Sequence, residues 1–326
     1  MAKHPKRPLD PNQLGKLIVA LSVGEASDPT PVPDTPALTR QFSAWFKGID
    51  YELQFWNRFL ETGGGEWPDD FKRRLDPDLP VEDWIVNGMV IDDSRPLKVL
   101  DVGAGPLTTF GRRHKGVKID ITAVDPLAPF YAEIANRLSI ERPTDTVQAF
   151  AEDLTAYFEV SSFDLVHCRN ALDHSFDPMR GIEEMLAVTR VGGRVLLIHN
   201  TNEGETEGYL GFHQWNFDVE NDHFIIWSKQ SRIDVTKSVE SYAEVTARCY
   251  ESGRSCLLSM TKHNEVPFDL SRSRERVRDI YSAVLFCLVN GTQTARKVSG
   301  AESTFQTETL VRQEAGEIQP VNVRPR

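Results

Sequence analysis

The sequence predicts an α/β fold with a mostly parallel sheet and helices on both faces. Between residues 97 and 200, apolar segments of strand length alternate with segments of helical character, a pattern typical of a parallel sheet. The first strand, Val99–Val102, runs straight into a turn with glycines at 103 and 105. Because glycine lacks Cβ, the backbone there can take up positive φ and approach a ligand closely. A binding site is therefore expected at the carboxyl edge of the sheet.

The elements follow one another in regular order. Predicted strands lie at 98–102, 119–124, 146–150, 163–168 and 193–199. Predicted helices follow Gly105 and cover 128–138 and 178–190. Right-handed crossovers between parallel strands place these helices on both faces of the sheet. Later strands are predicted at 224–227, 232–235 and 255–260, and a late helix at 272–290.

The N-terminal third has a different character. Four prolines among small and acidic residues at 22–36 indicate an extended linker, so that 1–36 is expected to be a flexible arm. Aromatic residues recur every three or four positions from 37 to 60, which predicts an amphipathic helix, and shorter helices are predicted at 67–75 and 81–86. We interpret the aromatic stripe as a packing face, with direct substrate contact as the alternative.

Four domain regions are therefore expected. They are the arm at 1–36, a helical cap region at 37–95, an α/β domain at 96–295 with an insertion around 201–222, and a C-terminal tail at 296–326. An oligomer formed through the aromatic helix is compatible with this organisation.

Composition excludes several classes of function. The formal net charge of -11 would repel a phosphate backbone, so nucleic acid is not an expected partner. No apolar run reaches the roughly 20 residues that cross a bilayer, and no signal-peptide core is present. The expectation is a cytoplasmic protein without a membrane partner. The spacing of the four cysteines indicates neither a zinc site nor a disulfide framework.

Polar motifs follow four of the predicted strands. They are Asp101-Val-Gly-Ala-Gly105, Asp125-Pro126-Leu127, Ala151-Glu-Asp-Leu154 and Cys168-Arg-Asn-Ala-Leu-Asp-His174. Taken singly, each is compatible with a tight turn or a helix cap. The dinucleotide fingerprint requires a glycine at position 108, where this chain has Thr108, so an NAD site is disfavoured.

In this order and spacing, the motifs between residues 97 and 200 resemble those of class I S-adenosylmethionine-dependent methyltransferases. The resemblance implies a Rossmann-like fold with a mostly parallel seven-stranded sheet. It also implies S-adenosylmethionine as the cofactor and S-adenosylhomocysteine as the product. The stretches Asn-Ala-Leu-Asp-His174 and His213-Gln-Trp-Asn-Phe217 are further similar to bacterial small-molecule and glycan methyltransferases.

The resemblance also implies roles for individual residues. Gly103, Ala104 and Gly105 would pass close to the methionine part of the cofactor, with Asp101 supporting the loop. Asp125, followed by Pro126, would accept hydrogen bonds from the ribose hydroxyls. The adenine contacts would come from Glu152 or Asp153, with Leu154 against the ring, and Arg169 and Asn170 complete the cofactor set. Leu107 stands where many members have a third glycine, which would alter the packing of the turn.

A hydroxyl acceptor would need a base, because a sulfonium methyl group is already activated and the enzyme mainly aligns the acceptor and removes its proton. His174, preceded by Asp173, is the candidate, since imidazole accepts a proton near neutral pH. The alternative is that His174 is a structural element of its loop.

A second cluster follows the fifth strand and is expected to overhang the same pocket. Its candidate acceptor-binding residues are His199, Tyr209, His213 and Trp215. Aromatic faces interleaved with polar groups suit a sugar, and they equally suit a lid over the cofactor. His199, Glu203, Glu205 and His213 could offer metal ligands, but their spacing matches no fixed pattern. A divalent metal is not predicted.

The predicted function is methyl transfer to a hydroxyl of a sugar, a glycan or another polar small molecule. One alternative is N- or C-methylation of a small metabolite. Another, from a different class, is a cofactor-binding regulatory protein without catalytic activity. Intact glycines and acids in the cofactor motifs favour an enzyme.

Overall fold

The computed structural model describes residues 36–267, with side chains described from Trp45 onward. These residues belong to one compact unit, 29–284. Residues 1–35 of the predicted arm, the predicted helix at 272–290 and the tail at 296–326 lie outside the described residues. Within the described part of the chain, none of the helices is long and apolar enough to span a membrane.

Three helices precede the sheet: α1 (Pro36–Glu61), α2 (Pro68–Leu75) and α3 (Asp83–Val86). A glycine turn ends α1, where Gly63 has φ +65 and the amide of Gly64 donates to the Phe59 carbonyl. Proline at the first position of α2, followed by Asp69 and Asp70, suits the positive end of the helix dipole. The helices predicted near these positions are therefore present, and local signals explain where they begin and end.

The central sheet has eight strands in the order β10-β11-β6-β5-β1-β3-β2, with β4 also paired to β3. Their bounds are β1 (Leu97–Val102), β2 (Arg113–His114), β3 (Val117–Val124), β4 (Thr146–Val147), β5 (Phe163–Arg169), β6 (Thr189–Asn200), β10 (Ala243–Tyr250) and β11 (Ser255–Lys262). Strands β4, β3, β1, β5 and β6 run parallel, whereas β11 pairs antiparallel with both β6 and β10. The predicted fold class is confirmed. The sheet has one strand more than expected, since the two-residue β2 pairs antiparallel with β3.

The other elements connect or cover this sheet. They are helices α4 (Ala128–Arg137), α5 (Pro178–Val188), α6 (Glu203–Thr206) and α7 (Val235–Val239), and the 3-10 segments Ala151–Ala156, Leu172–His174 and Glu251–Gly253. A separate antiparallel sheet contains β7 (Asn216–Glu220), β8 (His223–Trp227) and β9 (Arg232–Asp234). Its first strand, β7, lies within the predicted insertion around 201–222, and β8 and β9 follow it.

The helix predicted after Gly105 is wrong, because turns lead from the glycines into the β2–β3 hairpin. The amide of Arg112 donates to the Leu79 carbonyl, and Arg113 accepts from the amide of Val81. The backbone groups that a helix would pair internally are thus bound to the N-terminal segment. Thr108, Thr109 and Gly111 also have low helix propensity, which favours this outcome.

The central strands β1, β5 and β6 lie in the middle of the core. Val99, Leu100, Leu165 and Val166 have no exposed surface, as expected for parallel strands covered on both faces. Burial on both sides fixes the register, so the loops at the carboxyl ends of β1, β3 and β5 meet at one edge of the sheet. The polar motifs follow these ends.

Candidate functional site

A cavity of about 690 Å³ lies at the carboxyl edge of the sheet. Its lining comes from the turn after β1, the ends of β3 and β5, and helix α1. In open α/β sheets, ligands bind in the crevice outside the carboxyl ends of the strands. The volume falls within the range of about 300–1,000 Å³ that is usual for small-molecule sites.

The glycine turn leaves no room for side chains. Gly103 has φ +69, and a Cβ atom there would lie 2.3 Å from Cβ of Ala171. Gly105 has φ +62, and a Cβ atom there would lie 2.8 Å from Cζ2 of Trp56. Both positions thus require glycine for their backbone conformation and for their close neighbours. The result is a tightly packed backbone turn that forms part of the cavity wall.

Asp101 lies two residues before this turn and contacts the side chains of Thr108 and His167. Its Oδ2 accepts a hydrogen bond from Thr108 Oγ1 at 2.5 Å, and its Oδ1 lies 2.6 Å from Nδ1 of His167. Asp101 is 2% exposed, so these contacts satisfy a carboxylate that has almost no access to water. The role of Asp101 in supporting the loop stays a prediction.

Asp125 follows β3 and faces the turn. Its Oδ2 accepts from the amide of Gly105 at 3.1 Å and its Oδ1 accepts from the amide of Leu127 at 2.9 Å. Burial raises the pKa of Asp125 to about 7, although the two backbone hydrogen bonds oppose the shift. The carboxyl group therefore changes charge near neutral pH.

Glu152, and not Asp153, lines the cavity. Its Oε1 accepts hydrogen bonds from the amides of Phe176 and Asp177, at 2.9 and 3.2 Å. Burial raises the pKa of Glu152 to about 8. Asp153 interrupts the 3-10 segment with φ -147 and is 3% exposed. The sequence left open which of these two acids faces the site. In the structure, only Glu152 lines the cavity.

Most of the predicted cofactor residues meet at this cavity. Those that line it are Asp101, Gly103, Ala104, Gly105, Asp125, Pro126, Glu152, Arg169 and Asn170. Asp153 and Leu154 do not line it. Leu154 has no exposed surface and belongs to the hydrophobic core.

A cluster of Asp173, His174 and His213 lies beside the cavity, and both histidines line it. Nδ1 of His213 lies 2.9 Å from Oδ2 of Asp173 and 3.1 Å from Nε2 of His174. Burial opposes the charge on Asp173, but the facing His174 and the hydrogen bond from His213 hold its pKa below the usual range. The same hydrogen bond raises the pKa of His213 against the effect of burial. Both candidate catalytic residues and one candidate acceptor residue therefore meet here.

The other three candidate acceptor residues do not line this cavity. His199 is 1% exposed, neither ring nitrogen has a hydrogen-bond partner, and burial lowers its pKa to about 4. Trp215 is buried and its Nε1 donates to the Ser175 carbonyl. The hydroxyl of Tyr209 accepts from Asn216 Nδ2. These contacts hold the segment around 201–222 in place.

Helix α1 supplies one wall of the cavity, although its aromatic stripe is interpreted from the sequence mainly as a packing face. Trp45, Tyr51, Glu52, Phe55, Trp56 and Phe59 all line the cavity. Trp45 also stacks on Phe212, with ring centroids 5.1 Å apart and an interplanar angle of 5°. Glu52 is 9% exposed and accepts from Trp56 Nε1 at 2.7 Å. An acid within an aromatic helical stripe was the signal that could have indicated Glu52.

Comparisons with known proteins agree with this architecture. Residues 100–197 match a family model described as a methyltransferase domain. A relative from Oryza sativa subsp. japonica, 2-methyl-6-phytyl-1,4-hydroquinone methyltransferase 2, chloroplastic, is 27% identical over 139 residues. The match covers 42% of this chain and 39% of the relative, so this chain spans well under half of the relative's length.

Two solved structures are similar to this chain at lower sequence identity. A possible histamine N-methyltransferase from Thermotoga maritima has 17% identity and a TM-score of 0.39, covering 64% of this chain and 99% of that chain. A complex between the Haloferax volcanii Trm112 methyltransferase activator and a putative methyltransferase has 14% identity and a TM-score of 0.39, covering 64% of this chain and 98% of that chain. These values are too low to carry over an activity.

The fold and the site define an α/β domain with a cavity beside a glycine turn at its sheet edge. The domain at 100–197 belongs to the class I S-adenosylmethionine-dependent methyltransferase superfamily. The predicted superfamily is thereby confirmed, and with it S-adenosylmethionine as the cofactor.

Proposed function

We propose that this protein transfers a methyl group from S-adenosylmethionine to a hydroxyl oxygen of a small polar acceptor. One observation carries the proposal: a single cavity contains the Gly103–Gly105 turn, Asp125 and the side chain of His174. A cofactor site and a titratable imidazole thus share one enclosed space. The N-terminal region at 37–95 and the segment around 201–222 would shape the acceptor side of that space.

The residues present fit the cofactor. The turn at 103–105 brings backbone with no side chain larger than a methyl group to the cavity wall, and Asp125 offers a carboxylate for two neighbouring hydroxyls. Glu152 lies on the same cavity wall, where it would meet the adenine amino group. When bound, the cofactor supplies a methyl group on a positively charged sulfur, which is already activated for transfer.

His174 is the proposed proton acceptor in the metal-free protein. Its Nδ1 lies 4.0 Å from Oε2 of Glu52, and its Nε2 lies 3.5 Å from Oδ2 of Asp173. Two carboxylates therefore face the two nitrogens and would stabilise the imidazolium that forms when a hydroxyl loses its proton. The imidazole is 20% exposed, enough for an acceptor in the cavity to reach it.

The cavity lining supports an acceptor with both a ring and hydroxyl groups. Tyr51, Phe55 and Trp56 present aromatic faces, whereas Glu203, Glu207 and His213 present polar groups. Sugars pack their apolar faces on aromatic rings and direct their hydroxyls to such polar groups. A sugar or a similar polyhydroxylated molecule is therefore the first acceptor class to test.

A hydroquinone is the second candidate. Phe55 lies at the cavity and its side chain is 42% exposed, and the neighbouring Trp67 is 54% exposed with a centroid distance of 6.4 Å between the rings. This apolar rim would suit a planar ring with an apolar tail. The rice relative is named for action on a substituted hydroquinone, which adds support for including that class.

The experiment is a turnover screen with methyl-labelled S-adenosylmethionine and mass detection of products. The acceptors are sugars, nucleotide sugars, phenols, hydroquinones and amines. We expect an O-methylated product, and His174→Gln should lower kcat by about 10²- to 10⁴-fold near pH 7, the usual contribution of a general base. Calorimetric affinity for S-adenosylmethionine should stay within about threefold.

The matched control is His223→Gln. His223 also pairs with a carboxylate, Asp234 at 2.8 Å, but does not line the cavity, so its loss should leave turnover unchanged. A product methylated only on nitrogen or carbon would contradict the hydroxyl assignment. Absence of S-adenosylmethionine binding would contradict both O-methylation and the alternative of N- or C-methylation.

A further inference from the structure

Three potential ligand atoms converge beside the cavity. Oδ2 of Asp173, Nε2 of His174 and Nδ1 of His213 are separated by 2.9, 3.1 and 3.5 Å. They come from two parts of the chain: the 3-10 segment Leu172–His174 and the loop that precedes β7. The fold therefore brings together two imidazoles and one carboxylate that are about 40 residues apart.

Hydrogen bonding alone satisfies this cluster poorly. A carboxylate oxygen only accepts, so Nδ1 of His213 must carry a hydrogen if it is to bond Asp173. That nitrogen then has no lone pair for His174, whose Nε2 lies 3.1 Å away. Either one hydrogen is shared between two acceptors, or two N–H groups face each other. A cation at the point of convergence would give each lone pair a partner.

The distances also suit such a cation. Atoms bound to one metal ion at about 2.1 Å lie about 3.0 Å apart in octahedral geometry and about 3.4 Å apart in tetrahedral geometry. The three observed separations, 2.9, 3.1 and 3.5 Å, closely span this interval. No large rearrangement would be needed for all three atoms to coordinate one ion.

The surroundings provide two further features of a metal site. Asp173 is 1% exposed, and its second oxygen has no hydrogen-bond partner. That oxygen lies 3.9 Å from Nδ1 of His199, which also has no hydrogen-bond partner. On the other side, Nδ1 of His174 faces Oε2 of Glu52 at 4.0 Å. A ligating histidine commonly donates its other N–H to a carboxylate, which orients the ring.

We propose that Asp173, His174 and His213 bind a divalent transition-metal ion, with Glu52 orienting His174. Two imidazoles and one carboxylate favour ions such as Mn²⁺, Fe²⁺, Co²⁺ or Zn²⁺ over Mg²⁺, which prefers oxygen ligands. His174 and His213 line the cavity, so the remaining coordination positions face the space where an acceptor would bind. A hydroxyl or carboxylate oxygen of the acceptor is the ligand class that fits these positions.

Metal binding itself does not depend on the proposed methyl transfer, although the use made of the ion rests on that function. In the metal-loaded protein, Nε2 of His174 is a ligand, so His174 is no longer free to accept a proton. The ion would then be the group that lowers the pKa of a coordinated hydroxyl. A divalent metal is not predicted from the sequence, and this proposal adds one to the site.

The test is a titration of chelator-treated, full-length, tag-free protein with Co²⁺, followed by its visible d–d absorption. One equivalent should bind, with a spectrum typical of mixed nitrogen and oxygen ligands. His213→Ala and His174→Ala each remove a ligand at the cavity surface and should abolish this spectrum. Glu52→Gln should weaken binding by about 10- to 100-fold, as loss of an outer partner does.

His223→Gln is the matched control, because the pair of His223 and Asp234 has no third ligand among the described residues. It should bind Co²⁺ as the wild type does. Equal Co²⁺ binding by His213→Ala and wild type, or no stoichiometric binding by wild type, would overturn the site. Displacement of Co²⁺ by a small excess of Mg²⁺ would overturn the choice of metal class. Calorimetry with S-adenosylmethionine on the same samples tests the cofactor site separately.

Discussion

The indole ring of Trp56 lies directly against Gly105, so that a Cβ atom at position 105 would lie 2.8 Å from Cζ2 of the ring. The ring is held from two other sides. Its Nε1 donates to Glu52 at 2.7 Å, and the guanidinium of Arg74 lies 5.6 Å from the ring centroid. Helix α1 and the Gly103–Gly105 turn are therefore parts of one packed unit, and a larger side chain at position 105 must also displace Trp56.

Gly105→Ala should consequently destabilise the fold and weaken cofactor binding. A non-glycine residue at φ +62 costs about 1–2 kcal/mol, and the overlap with Trp56 adds to this. The free energy of unfolding in urea and the calorimetric affinity for S-adenosylmethionine measure the two effects. Gly116→Ala is the control, since Gly116 has φ +82 but nothing within 4 Å of the added Cβ. Equal losses in the two variants would contradict a role for the contact with Trp56.

Asp164→Asn should destabilise the fold, although Asp164 does not line the cavity. Asp164 is 2% exposed and binds Arg95 at 2.6 Å, Arg190 at 2.5 Å and the amide of Lys98 at 2.9 Å. Hydrogen bonds to charged groups contribute about 1.5–3 kcal/mol, and a loss of that size is expected at pH 7. Asp92→Asn is the control, because its ion pair with Arg95 spans 3.6 Å and both side chains are exposed, so little change in the free energy of unfolding is expected.

The same residue predicts a pH dependence of stability. Burial raises the pKa of Asp164, but the two arginines and the Lys98 amide outweigh it, so the pKa lies well below its usual range. The folded state therefore binds this proton less readily than the unfolded chain does. The stabilisation that ionised Asp164 provides is fully present above the unfolded-state pKa of about 3.9. It is lost as the pH falls from there through the lower pKa of the folded state. Urea unfolding from pH 6 to pH 2 should give a shallower loss for Asp164→Asn than for wild type.

Sequence patterns were sufficient for the elements whose signals are local. The apolar runs of β1 and β5 and the glycine turn depend on neighbouring residues, so their positions and the superfamily followed directly. The helix expected after Gly105 failed because its backbone groups bond to Leu79 and Val81, a contact that no local pattern reports. The convergence of Asp173, His174 and His213 likewise depends on the path of the segment after β6. Helix α1 was found, but periodicity cannot distinguish a ring that packs from one that also lines a cavity.

Trp45→Ala should loosen helix α1 from the segment that carries His213. Trp45 is 6% exposed, stacks on Phe212 at 5.1 Å and lies 5.6 Å from the ring of Phe150. Replacing a buried tryptophan with alanine costs about 3–5 kcal/mol. Urea unfolding measures this loss. Relative to wild type, hydrogen exchange in the variant should become faster in α1 and change less in β5. Trp84→Ala, at a residue that is 40% exposed, should leave both measurements close to wild type.

Cofactor affinity should depend on pH through Asp125. Burial raises the pKa of this carboxyl group to about 7, and ribose hydroxyls donate to the ionised form. If only that form binds, affinity for S-adenosylmethionine should weaken by about tenfold between pH 8 and pH 6, one proton being taken up. Asp125→Asn should bind S-adenosylmethionine weakly and with an affinity that does not vary with pH. Any titration of S-adenosylmethionine itself affects the wild type and the variant equally. Glu152→Gln should keep most of the dependence, because the pKa of Glu152 is about 8 and this acid is at least half protonated throughout the range. A pH dependence that persists in Asp125→Asn would show that another group controls binding.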